Sequence, residues 1–296
     1  MSEPRPLPPA LRSGPFTVAD ALAQEVPRAR LNRRDLAAPF RGVRRSADDP
    51  SWFANHLAYA ELMSDSHVFS HLSAARLHAI PVPTRLETDK RVHVTLVQGR
   101  APRGPGVVGH TTSRTPPTRL LGPLRVTSPA RTWADLATLL TVDELVIAGD
   151  RLLGRPEPLA TPTEISDAVA DATGLRGTRR LAQALALVRA GSRSPRETRA
   201  RLALVRAGLP EPELNAPIPV RGRILHGDLA YRPWRVLLEY EGDQHRTDPW
   251  QWAHDLERYN DLAEAGWLVI RASKKLSDIG LATRTRRALI SRGWEP

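Results

Sequence analysis

The chain has 296 residues, with 43 Lys plus Arg against 32 Asp plus Glu, a formal net charge of +11, and no cysteine. The lack of cysteine excludes disulfides, thiolate metal sites and a cysteine nucleophile, and it fits a cytoplasmic location. Nearly all the positive charge is arginine, which favours an anionic partner such as nucleic acid, while no apolar run is long enough to predict a membrane span.

Residues 1–15 (MSEPRPLPPALRSGP) are basic and proline-rich without an apolar stretch, so they predict a disordered tail and not a secretory signal. Thr17 can cap a short helix over Val18–Gln24, Pro27 interrupts it, Arg28–Leu36 fits a second helix, and Phe40–Arg44 fits a strand. This order, with Arg30, Arg33 and Arg34 along it, predicts a winged-helix-like element over 16–48 as readily as a helical lead-in with a solvated basic face. A mixed α+β region is expected over 49–155. It would hold a helix around Leu57–Met63, a second through SAARLHAI, and strands at RVHVTLV, VVGH and LRVTS. Ser128 and Thr141 would cap two further helices. Residues 156–191 predict a helical linker, entered through a proline-rich hinge and broken at Gly174–Gly177.

Residues 192–296 carry the clearest pattern. Ser194, Pro195 and Glu197 form a reciprocal helix start, and Gly208 stops that helix. ILHGDLAY (224–231) and RVLLEYEG (235–242) read as paired strands, with a further strand at Ala216–Val220. A helix from Asp248 to Ala265 ends at Gly266, WLVIRA (267–272) is a buried strand, and an arginine-rich helix spans Ile279–Arg292.

Strand alternation puts Leu237, Glu239 and Glu241 on one face and Val236, Leu238 and Tyr240 on the other. Two carboxylates on one face of an apolar strand repel each other and lose hydration. A divalent cation would offset that cost, and Asp228 is close enough across the hairpin to join Glu239. All-oxygen ligands suit Mg²⁺ or Mn²⁺, not zinc. The alternative is an edge strand with its carboxylates in water, and for Glu241 alone this is the better reading. His245, just past the strand, is placed to hold a water or a phosphate oxygen. Asp255 and Arg258 can pair at i and i+3 on a helix surface. The capping box accounts for Glu197, which can also point toward the metal from its helix start.

The run DLAYRPWRVLLEYEGDQHRTDPWQWAHDLERYNDLAEAGWLVIRAS resembles the domain of unknown function 559 family, grouped with very-short-patch-repair-like endonucleases in the PD-(D/E)XK superfamily. The matching positions are Asp228, Glu239, Gly242, His245, Asp255, Arg258, Gly266, Trp267, Val269 and Arg271, with Glu197 on the family's first helix. Glu241 stands where Asp is usual, and no Lys follows Glu239 by two residues, so His245 or Gln244 would take over that role. The resemblance implies a restriction-endonuclease-like αβββαβ domain, with Asp228, Glu239 and Glu241 at Mg²⁺ or Mn²⁺. Arg258, Arg271, Arg284, Arg286 and Arg287 would serve nucleic acid. A second resemblance, in FTVADALAQEVPRARLNRRDLAAPFRGV and VFSHLSAARLHAIPVP, is to actinobacterial AbiEi-type antitoxin-like proteins and implies a DNA-binding winged helix in front. Together they lead to the expectation of a metal-dependent DNA endonuclease. The alternative is a non-catalytic DNA-binding regulator of antitoxin type, with a cognate toxin or other protein as partner.

Overall fold

The computed structural model describes residues 5–240, 249–273 and 275–296, with the backbone alone for 249–255. The chain is mixed α+β and divides into two compact units, Met1–Leu139 with Asp167–Arg176 and Leu140–Ser166 with Gly177–Pro296. No helix among the described residues is long and apolar enough to cross a membrane.

The first unit opens with β1 (Phe16–Thr17) and α1 (Val18–Ala23), where the Asp20 N–H donates to Thr17 Oγ1 at 3.0 Å as the capping residue predicts. Residues 5–15 are not a free tail, because Leu11 is buried with Phe16, Ala21, Val26 and Leu31 in one apolar cluster. The second helix expected over Arg28–Leu36 is reduced to a single 3-10 turn, Arg30–Asn32. Its far end pairs instead as a strand, β2 (Leu36–Ala37), with β3 (Val43–Ser46), giving a three-stranded sheet of order β1-β3-β2.

Next come α2 (Trp52–Ala60), β4 (His67–Phe69), α3 (His71–Leu77), α4 (Thr84–Glu87), β5 (Val92–Val97), β6 (Arg103–Gly104), β7 (Val107–Thr112), β8 (Thr118–Leu121), β9 (Leu124–Thr127) and α5 (Pro129–Asp135). The strands form a sheet of order β6-β7-β5-β4-β9-β8. Phe40 and Val43 share a core with Ala58, Phe69, Val92, Val94, Leu124 and Val126. Residues 16–48 therefore do not form a unit separate from this larger sheet.

The second unit contains α6 (Val142–Leu152), α8 (Thr178–Leu187), α9 (Pro195–Arg206), β10 (Glu213–Val220), β11 (Arg223–Tyr231), β12 (Val236–Tyr240), α10 (Pro249–Glu264), β13 (Leu268–Ala272) and α11 (Asp278–Ser291), while α7 (Pro162–Asp171) spans the boundary in sequence. The expected breaks at 155 and 191 do not coincide with the observed division. The reason is a non-local ion pair: Asp150 of α6, at the end of the expected middle region, meets Arg201 of α9 at 2.9 Å, both almost fully buried, which ties α6 to the C-terminal fold.

The sheet order is β10-β11-β12-β13, with the first two pairings antiparallel and the last parallel. One face packs Leu229, Tyr231, Val236 and Leu238 against Ala200 and Leu204 of α9 and Leu281 and Leu289 of α11. The other packs Ala216, Ile218, Ala230 and Leu237 against Leu262 and Tyr259 of α10. Helices thus cover both faces, and the near-continuous apolar run in β13 follows from that. Gly266, at φ 79°, ends α10 and lets the chain turn into β13.

Candidate functional site

The β11–β12 ladder pairs Tyr231 with Val236, Ala230 with Leu237, and Leu229 with Leu238. Extended by one step, the same register sets Asp228 opposite Glu239. Alternation puts both on the face of Ala230 and Leu237, the face that α10 covers. At this step a side chain replaces the backbone ladder, since the Tyr240 N–H donates to Asp228 Oδ2 at 2.8 Å.

Each acidic group is held differently. Asp228 is half-buried, and burial raises its carboxyl above the usual range, against the lowering effect of the Tyr240 N–H and the charges of Arg258 and Arg193. Glu239 is 6% exposed, and its Oε1 accepts from Arg258 Nη2 at 2.6 Å. The same guanidinium nitrogen reaches the His226 carbonyl at 2.6 Å, so Arg258 of α10 clamps β11 and β12 together. Arg258 therefore bonds to the strands, while the Asp255 side chain, its expected surface partner, lies outside the described residues.

Glu197, in the first turn of α9, is 5% exposed. Its Oε2 accepts from the Arg193 N–H at 2.9 Å and from Asn215 Nδ2 at 3.1 Å, and its Oε1 accepts from the Ser194 hydroxyl at 2.9 Å. The capping glutamate thus reaches back to Arg193 and also out to β10. Burial raises its carboxyl, the Arg193 N–H lowers it, and the charge of Asp228 raises it again, so the two acids sense each other. Asn215 lies opposite Asp228, between the pairs Leu214–Leu229 and Ala216–Gly227. Sequence reasoning does not single it out. The one available signal is a polar side chain interrupting the apolar stretch of β10.

Arg271 of β13 is the parallel partner of Glu239, and its guanidinium lies 4.6 Å from the Tyr259 ring centre. On α11, Arg284 and Arg287 are exposed. Arg286 is instead a brace, donating to the Ala207 carbonyl and lying over Trp294, so its guanidinium is engaged within the fold. In the first unit Arg33 and Arg34 are exposed. Arg30 is corrected in the same sense as Arg286: it pairs with Asp35 at 2.6 Å and donates to the Arg5 carbonyl, with its side chain only 10% exposed. Glu241, Gln244 and His245 lie outside the described residues. Among the described residues, no three His, Asp or Glu side chains form a group that could hold a metal ion.

No family model matches the chain, and no solved structure does. Two uncharacterized proteins of Mycobacterium tuberculosis, from strains CDC 1551 / Oshkosh and ATCC 25618 / H37Rv, are each 33% identical to it over 132 residues, which is 40% of this chain and 49% of the relative. The chain spans about half the length of the curated relatives it matches.

Proposed function

We propose that the second unit is a restriction-endonuclease-like domain acting on phosphodiester bonds in DNA, and that the first unit contributes DNA binding through residues 16–48 acting as a reduced winged-helix-like element. The observation that carries this reading is the β11–β12 register, which, extended one step beyond Leu229–Leu238, sets Asp228 against Glu239 on one face, within reach of the charge of Glu197, in a domain of order αβββαβ.

The donors are all oxygen, and burial opposes ionisation of Asp228. A hard divalent ion offsets that penalty, so the residues fit Mg²⁺ or Mn²⁺. Asp228 and Glu239 would hold it, with Glu197 beside them. When bound, the ion supplies stabilisation of the charge that grows on phosphate oxygens and acidifies a bound water. Arg258 orients Glu239, and Arg271 presents a cation from the neighbouring strand β13, opposite Glu239. Exposed Arg34, Arg284 and Arg287 supply sequence-independent affinity for phosphate. If about five arginines each neutralise a phosphate, binding weakens with salt at a log–log slope of about −4 to −5.

The test is incubation of the full chain with plasmid and single-stranded DNA in Mg²⁺ or Mn²⁺, beside Asp228→Ala and Glu239→Ala. Metal-dependent nicking that both substitutions abolish is the expected result. The contact between Arg258 and Glu239 favours a second reading, because a guanidinium already neutralises one carboxylate. On that reading the fold is the scaffold of a non-catalytic DNA-binding regulator of antitoxin type, paired with a toxin. Salt-sensitive DNA binding without cleavage, equal in wild type and both variants, would select it.

A further inference from the structure

β10 is a regular ladder partner of β11 except at one residue. Asn215 adopts φ 45°, in the left-handed region, while its neighbours Leu214 and Ala216 pair normally with Leu229 and Gly227. Asparagine visits this region more readily than most residues, and a kink of this kind re-aims a side chain out of the strand's alternation. The kink stands opposite Asp228.

The side chain it re-aims is 7% exposed and has two partners. Asn215 Nδ2 donates to the Gly191 carbonyl at 2.6 Å and to Glu197 Oε2 at 3.1 Å. Gly191 belongs to the segment leading into α9, and Glu197 to its first turn. One amide thus ties the start of α9 to the strand facing Asp228. The other donors to Glu197, Arg193 N–H and Ser194 O–H, lie within four residues of it in sequence and cannot fix α9 relative to the sheet.

We propose that Asn215 is a positioning residue of the acidic site, holding Glu197 beside Asp228 so that the site is assembled before a divalent ion arrives. This rests on the reading of the site as a metal-dependent centre. Residues that orient carboxylates around a metal typically change its affinity by about 10–100-fold when removed.

The experiment measures Mn²⁺ binding to the full chain by titration calorimetry, and plasmid nicking at limiting and saturating Mn²⁺. Asn215→Gly removes the amide while keeping the left-handed backbone accessible. Asn215→Asp keeps shape and backbone preference but replaces the donor with an acceptor. Both are expected to weaken Mn²⁺ binding by at least about tenfold. Nicking should fall at limiting metal and recover to within about threefold of wild type at saturating metal, a split that general loosening of the fold would not produce. A thermal melt verifies folding, and either variant suffices if the other fails to fold. Unchanged Mn²⁺ affinity in a folded variant overturns the proposal and leaves the nuclease reading standing. A wild-type chain that neither binds Mn²⁺ nor nicks DNA overturns both.

Discussion

Acidification is expected to destabilise the first unit through three histidines. His71 and His110 stack with ring centres 3.5 Å apart, and His93 Nδ1 lies 3.2 Å from His110 Nε2. Burial is the first cause lowering all three, taking His93 down to about 4 and His71 well below its usual value. The charges of Arg91 on His93 and Arg131 on His71 act in the same direction, while Asp89, 3.8 Å from His93 Nε2, opposes. An unfolded histidine titrates near about 6.5, so between there and about 4 the unfolded chain binds more protons than the folded one. The stabilisation is complete above about 6.5 and is lost as pH falls toward the folded value. For His93, a gap of about 2.5 units at about 1.4 kcal/mol each gives about 3 kcal/mol. Asp135, raised by burial to about 6, contributes with the opposite sign over the same range. A difference between variants therefore isolates the histidine better than a single profile. Urea unfolding at about pH 7 and about pH 4, followed by hydrogen exchange in the β5 peptide, is the assay. Wild type should lose up to about 3 kcal/mol more than His93→Gln, and parallel pH profiles for the two chains would refute the reasoning.

Arg201→Met strands the buried Asp150 carboxylate and should cost about 3–5 kcal/mol in urea unfolding, with most of the loss restored when Asp150→Leu is added. Arg258→Ala removes the 2.6 Å partner of Glu239 and should lower stability by about 2 kcal/mol. In a thermal-shift assay, Mn²⁺ should restore more of that loss than it adds to wild type, and equal shifts would argue against a metal at this carboxylate. Gly227→Ala would place a Cβ 2.2 Å from Leu237 Cδ1 and 3.2 Å from Ile218 Cδ1, an overpacking expected to cost about 1–3 kcal/mol by thermal melt.

Elements are legible in the sequence where local chemistry decides them. Thr17, Ser128, Thr141 and Ser194 all cap the helices that their positions predict. The pairing of β11 with β12 is legible in the same way, from two β-rich runs joined by a short proline-containing turn. Failures arise where a distant partner decides. Leu36–Ala37 continues a helical pattern by composition, but pairing with Arg45 and Ser46 makes it a strand. The proline-rich stretch after Gly154 has the composition of a domain boundary, yet Asp150 and Arg201 bond across it from 51 residues apart. Arg30 and Arg286 read as surface cations, since sequence does not show which guanidiniums find a carboxylate or a helix-end carbonyl inside the fold. Asn215 escapes notice for a related reason: its role depends on a backbone kink and on a helix start 18 residues earlier.

The acidic site exists only as a product of tertiary structure. Asp228 depends on a backbone N–H from β12, Glu239 on an arginine from α10, and Glu197 on donors from its own helix start and from β10. No single segment carries more than a part of it, so partial unfolding of any one element leaves a buried carboxylate without its donor. Register is the most vulnerable link. A slip of one residue between β11 and β12 would break the opposition of Asp228 and Glu239 and turn the apolar set of one strand outward. The close packing of Leu237 and Ile218 around Gly227, one residue from Asp228, resists that slip, because any residue with a Cβ would clash there. Hence the glycine beside the acid guards the site's geometry as directly as the groups that bond to the carboxylates.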